Sequence, residues 1–165
     1  MAVVVWLTEG TWAACVDAVR TFAPTQEVAL LHVTGDDMAE AAHAAYRRLL
    51  GRGHPERDPG ARLEELAARA AADLLDAAAA RLGRPASLLE RRGRVEREVV
   101  QAAQDADLLV VARDGDRTRL GPHSLGPPTR FVVDHAPCPV LLVWPEPAPD
   151  VTSLPPPPPP SYRMP

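Results

Sequence analysis

Lysine, asparagine and isoleucine are absent from the 165 residues, so all 18 basic side chains are arginine. The three missing types share A/T-rich codons, and coding composition explains the bias more simply than selection for arginine chemistry. Cysteine is nearly absent too. Cys15 and Cys138 are too few for a disulfide framework, fit a reducing cytoplasm, and read as small core residues. No apolar run reaches membrane-spanning length, and the opening MAVVVWLTEG lacks the basic segment of a signal peptide. Positive charge is not in excess: a net charge of −4 gives no reason to expect nucleic acid or an anionic membrane as partner. There is no nucleophile elbow, HExxH, Walker sequence or CxxC, and the five histidines do not fall at metal-ligand spacing. These absences leave a soluble cytoplasmic domain, without a metal or a catalytic constellation, with room for one core.

What is present alternates between strand and helix. Ala2–Leu7 is apolar and of strand length, and Thr8–Thr11 is a turn with Thr11 at a cap position. Trp12, Cys15, Val16, Val19 and Phe22 then recur at helical spacing as one apolar stripe, closed by Pro24. Glu27–Val33 is a second strand, broken by Thr34 and Gly35. Met38 to Leu50 reads as a helix with Ala42, Tyr46 and Leu49 inward, and residues 51–60 as a polar loop holding His54. Ala61–Leu82 is rich in strong helix formers, with Gly83 at the C-terminal cap position. Ala86–Glu90 is a weak strand. The next helix turns Val95, Val99, Ala102 and Ala106 inward, and the Glu96, Arg97, Glu98 run is a solvated face.

Residues 106–144 carry the most information. Asp107–Ala112 and Pro139–Trp144 are apolar without alternation, as strands buried on both faces of a parallel sheet should be. Between them lie Gly115, Gly121 and Gly126, then a helix starting at Pro127, where proline is tolerated in the first turn, with His135 placed to bond its last carbonyls. About five strands with intervening helices predict an α/β fold built on one doubly wound parallel sheet. In such sheets ligands sit beyond the carboxyl ends of the strands, where the strand order switches. That rim carries Thr8, Glu9, His32, Val33 and the loop from Arg113 to Gly126, His123 included. After Trp144 the composition changes: ten of the nineteen prolines fall in residues 145–165, including the run Pro155–Pro160. The organisation is therefore a domain over 1–144 and a proline-rich tail, 145–165, expected to be disordered and partly polyproline II.

Three segments carry a resemblance: LLHV at 30–33, GRVEREVVQAAQDADLLVVA at 93–112 and GPPTRFVVDHAPCPVLLVW at 126–144. Over roughly residues 2–144 the chain resembles the universal stress proteins. The resemblance implies an adenine-nucleotide α-hydrolase-like architecture with sheet order 3-2-1-4-5. It also implies a homodimer through the last strand, with Val140, Leu142 and Trp144 at the contact, and a stress-response or regulatory role through an unidentified protein partner rather than an enzymatic one. Many members bind ATP through a G-x2-G-x9-G-[S/T] loop. Here Ala112 replaces the first glycine, Gly115 matches the second, and Gly126 matches the third with one residue inserted. Pro127 stands where the hydroxyl residue belongs. The acid that would hold the ribose is replaced by Thr8 or supplied by Glu9, depending on register, and Val33 takes the place whose backbone meets adenine.

The chemistry of such a loop rests on glycines that admit phosphate to the backbone and on amides at a helix N-terminus. Pro127 and Pro128 remove two of those donors and Pro127 also removes the hydroxyl. At about 1 kcal/mol each, the losses would weaken a micromolar site about a hundredfold. Arg117, Arg119 and Arg130 could replace the lost phosphate contacts with charge, and Thr129 could supply a hydroxyl one turn late. The expectation is a degenerate loop with weak or absent ATP binding; the alternative is an ATP site gripped by arginines.

Overall fold

The computed structural model describes residues 2–50 and 59–157. Strands β1 (Ala2–Trp6), β2 (Glu27–Gly35), β3 (Ser87–Gly93), β4 (Leu108–Ala112) and β5 (Val140–Val143) form one sheet in the order β3-β2-β1-β4-β5. Every pairing is parallel. The helices are α1 (Trp12–Phe22), α2 (Asp37–Leu50), α3 (Pro59–Leu82), α4 (Val95–Ala102) and α5 (Pro127–His135). The doubly wound sheet and its 3-2-1-4-5 order are thus as expected.

The unbroken apolar runs of the central strands follow from burial on both faces. Val3, Val5, Leu30 and Val110 point to one side, where Cys15, Val16 and Val19 of α1 and Leu74, Leu75, Ala78 and Leu82 of α3 cover them. Val4, Trp6, Leu31, Val33, Leu109 and Val111 point to the other, against Val99 and Ala103 beside α4 and Val132 of α5. Each fully buried Val or Leu is worth roughly 1.5–3 kcal/mol, so these two layers dominate the favourable side of folding. Val95, Ala102 and Ala106 pack partly buried against the second layer, on the inward face read for that helix.

Several boundaries move for identifiable reasons. β2 continues through Thr34 and Gly35 because β3 pairs with it as far as Gly35↔Gly93; the backbone partner outweighs the local turn signal. Phe22 is not part of the buried stripe: it is the last residue of α1 and is 68% exposed. Thr11 sits at the N-cap of α1 without a side-chain cap bond, its hydroxyl lying 2.6 Å from that of Thr8. Ala42 and Tyr46 are half-buried; Leu49's side chain and the loop at 51–58, with His54, lie outside what is described. Gly83 follows α3 at φ +71°, the left-handed conformation that a helix-ending glycine supplies.

The sequence order of the sheet reverses between β1 and β4, whose common carboxyl end is the switch point. The Thr8–Thr11 turn follows β1 and the Arg113–Gly126 loop follows β4, so both start from that end of the sheet.

Candidate functional site: a glycine loop closed on itself

The loop after β4 folds back as two limbs. Gly115 N–H donates to the Ser124 carbonyl at 2.9 Å and Asp116 N–H to that of His123 at 2.8 Å. A short 3-10 turn at Pro122–Ser124 shapes the returning limb. A Cβ on Gly115 would lie 2.3 Å from the His123 carbonyl oxygen. Glycine is needed here so that one limb can touch the other; its bare face does not point to open space. Ala112, at the first glycine position, ends β4 with its methyl in the α1-side core.

Asp114 closes the mouth. Its Oδ1 accepts from Gly126 N–H at 2.8 Å and its Oδ2 from the Thr129 hydroxyl at 2.8 Å. An anion at a helix N-terminus is favoured by the unsatisfied amides and the helix dipole. Here the anion is one of the protein's own carboxylates. It takes the Gly126 amide, the last donor before Pro127 and Pro128, and the hydroxyl of Thr129, which is only 1% exposed. A Cβ on Gly126 would fall 3.0 Å from Asp114 Oδ1, so that glycine also faces the chain itself.

The arginines are largely committed elsewhere. Arg117 forms a forked pair with Glu146, at 3.3 and 3.0 Å. Arg130 donates to the Pro122 carbonyl. Arg113 donates to the buried Ser124 hydroxyl and lies over the Trp144 ring, 4.5 Å from its centroid; its partial burial lowers the guanidinium's basicity. Arg119 is exposed, makes no hydrogen bond among the described residues, and helps hold the Asp116 carboxyl low. The larger cause there is the Thr118 hydroxyl and amide, which both donate to Asp116.

The remaining candidates do not converge on the loop. Thr8 spends its hydroxyl on Thr11 and its carbonyl on the Thr11 and Trp12 amides. Glu9 is exposed on the turn. Val33 is buried beyond the last β1–β2 pair, Trp6↔Leu31. His32 meets the Leu7 carbonyl through Nδ1 at 3.1 Å, and His135 reaches the Phe131 carbonyl at 2.8 Å, the latter as read for a helix end. A cavity of about 520 Å3 opens between the ends of β2 and β3 and the starts of α4 and α5. Among the described residues Asp36, Glu40 and Glu96 line it against one cation, Arg94, which suits a polyphosphate poorly. Val140 and Leu142 pack half-buried onto the α4/α5 layer, and β5 is the outer strand of the sheet. Trp144 is engaged with Arg113.

Sequence reading missed Asp114. An acid at a cap is a local signal, but this one caps a helix from 12 and 15 residues upstream in the chain. It missed the tail as well. Composition predicts disorder after Trp144, yet Glu146 pairs with Arg117, Asp150 caps the 3-10 turn Val151–Ser153, and the Ser153 hydroxyl accepts from Leu120 N–H at 3.0 Å. Residues 145–157 therefore follow a defined course, and 158–165 lie outside what is described. Among the described residues no helix is long and apolar enough to cross a membrane.

Comparison with curated proteins finds no match. Among solved structures, hypothetical protein MJ0577 is similar with a TM-score of 0.63 at 20% identity, over 87% of this chain and 95% of that one. A universal stress protein in complex with cAMP follows at 0.58 and 17%, over 88% and 98%. A universal stress protein from Archaeoglobus fulgidus stands at 0.54 and 16%, over 87% and 93%. At these identities the likeness is one of fold. The sequence pattern of the universal stress protein family itself matches residues 9–143, and on that match the chain belongs to the universal stress protein family.

Proposed function

We propose that this chain is a non-enzymatic, regulatory universal stress protein whose nucleotide loop has been converted into a structural element, so that ATP is not its ligand. The observation that carries the reading is the Asp114 carboxylate on the Gly126 amide and the Thr129 hydroxyl. A phosphate brought within about 4 Å of that carboxylate meets a repulsion of about 1 kcal/mol in water-like surroundings and about 4 kcal/mol near a protein surface. The two prolines and the inward-facing Gly115 act in the same direction. Solved relatives include complexes with cAMP and dAMP, so adenine nucleotides are the ligands to test first. The tied-up state of Arg117 and Arg130 weighs against the arginine-gripped alternative.

Function then rests on protein contacts. A homodimer through the open edge of β5 is part of this reading, because an uncovered apolar edge strand invites pairing with a second copy. Isothermal titration of the full chain with Mg-ATP, and separately with AMP and cAMP, tests the proposal. It expects no saturable heat in the micromolar range, and micromolar ATP binding would overturn it. Light scattering of the eluting protein should give twice the chain mass.

A further inference from the structure

After β5, residues 145–154 stay against the glycine loop and are fastened to it at two separate points. Near its start, the Glu146 carboxylate takes the guanidinium fork of Arg117, which also donates to the Arg113 carbonyl. Farther on, the Asp150 carboxylate accepts the Thr152 amide and fixes the turn at Val151–Ser153. That turn directs the Ser153 hydroxyl to accept from Leu120 N–H while it donates to the Asp150 carbonyl. At the root of the segment Trp144 lies under Arg113, whose guanidinium also holds the buried Ser124 hydroxyl of the returning limb. Both limbs of the loop are thus tied to the same stretch of chain.

We infer that residues 145–154 are a strap that holds the Arg113–Gly126 loop in its closed form, and that releasing the strap opens the loop. This rests on the proposed reading of the loop as closed, and it adds the element that keeps it so. The segment suits a releasable contact. It has little buried apolar surface of its own, since Val151 and Leu154 are exposed. It is held instead by an ion pair and by hydrogen bonds, which are modest in strength and salt-sensitive. Leu154 leaves the turn at φ −62° and ψ 135°, already close to polyproline II, and in the sequence a proline run begins at the next residue. A partner that pulls on this proline run would pull on the Ser153 anchor.

Hydrogen exchange read by mass spectrometry tests the strap. The comparison is between the wild-type full chain, the full-length double variant Glu146→Ala/Ser153→Ala, and a chain ending at Trp144. The reporters are peptides covering residues 113–126, with peptides from β1 as the internal reference. Losing one ion pair and one hydrogen bond should speed exchange in the loop by about tenfold, with β1 unchanged. Loop exchange equal to wild type in the double variant overturns the inference, as does equal acceleration in loop and β1. Should the shortened chain fail to fold, the double variant decides alone. ATP binding by the wild-type chain would overturn the closed-loop reading, whereas the strap itself stands or falls on the exchange rates of the loop.

Discussion

Replacing Asp114 by alanine tests whether its carboxylate is structural. The change removes two acceptors at once. Gly126 N–H lies at the surface, where water can replace the bond, and its loss resembles that of an N-cap, about 1 kcal/mol. The Thr129 hydroxyl is different: with Thr129 1% exposed, losing its partner costs about 1–3 kcal/mol. The lost interaction between the carboxylate and the helix dipole adds about 0.3–1 kcal/mol at low salt. Allowing for overlap between these terms, Asp114→Ala should destabilise by about 2 kcal/mol, which for a domain of this size lowers Tm by roughly 4–8 °C. Asp114→Asn keeps an oxygen for Gly126 and an amide that can donate to Thr129, so it should retain more than half of the stability. Urea unfolding followed by circular dichroism, with thermal melts alongside, measures both. If the alanine variant lies within about 0.5 kcal/mol of wild type, the carboxylate is not a built part of the loop and the reasoning fails.

Other expectations follow from the same geometry. Gly115→Ala would drive a methyl to 2.3 Å from a backbone carbonyl, and the limbs must separate; a loss of about 1–3 kcal/mol is expected by urea unfolding, and an unchanged midpoint would contradict the close approach. Asp114→Gly combined with Pro127→Ser removes the internal anion and restores an amide and a hydroxyl, so titration should detect ATP binding that the parent lacks. Burial pushes the Cys15 thiol up to about 12, so it should resist Ellman's reagent at pH 8 until the protein is unfolded. Because its ordinary value is 9.0, the unfolded chain loses this proton first, and stability should fall as pH rises from about 9 toward 12. Asp17 behaves in the opposite sense: hydrogen bonding to Arg81 holds its carboxyl below its ordinary value. The pair's contribution is present above about pH 4 and fades as pH drops through the lowered value, and Arg81→Ala should reduce the acid-side slope of stability.

Much of this protein was legible in one dimension because the signals are local. Runs such as Val3–Val5 and Leu109–Val111 lack alternation since both faces of a central parallel strand are covered, and that pattern needs no knowledge of the partner helices. The start of α5 at Pro127 and the glycine after α3 are likewise written in the backbone preferences of two residue types. The two prolines, missing donors in the sequence as in the structure, already weakened the case for a phosphate loop.

What the loop does with its remaining groups could not be read this way. Gly115 and Gly126 have the spacing of a ligand site, and whether a glycine's open face meets a ligand or another limb of the chain depends on contacts between residues well separated in the chain, as Gly115 is from His123 and Gly126 from Asp114. The Asp114–Thr129 bond and the Arg117–Glu146 pair span 15 and 29 positions. Sequence alone determined the strands, the helices and the absence of two donors, because these follow from local sterics and periodic burial. Only the tertiary structure decided that the loop is filled by its own carboxylate and strapped by the chain that follows β5, because charge pairing selects partners by distance in space.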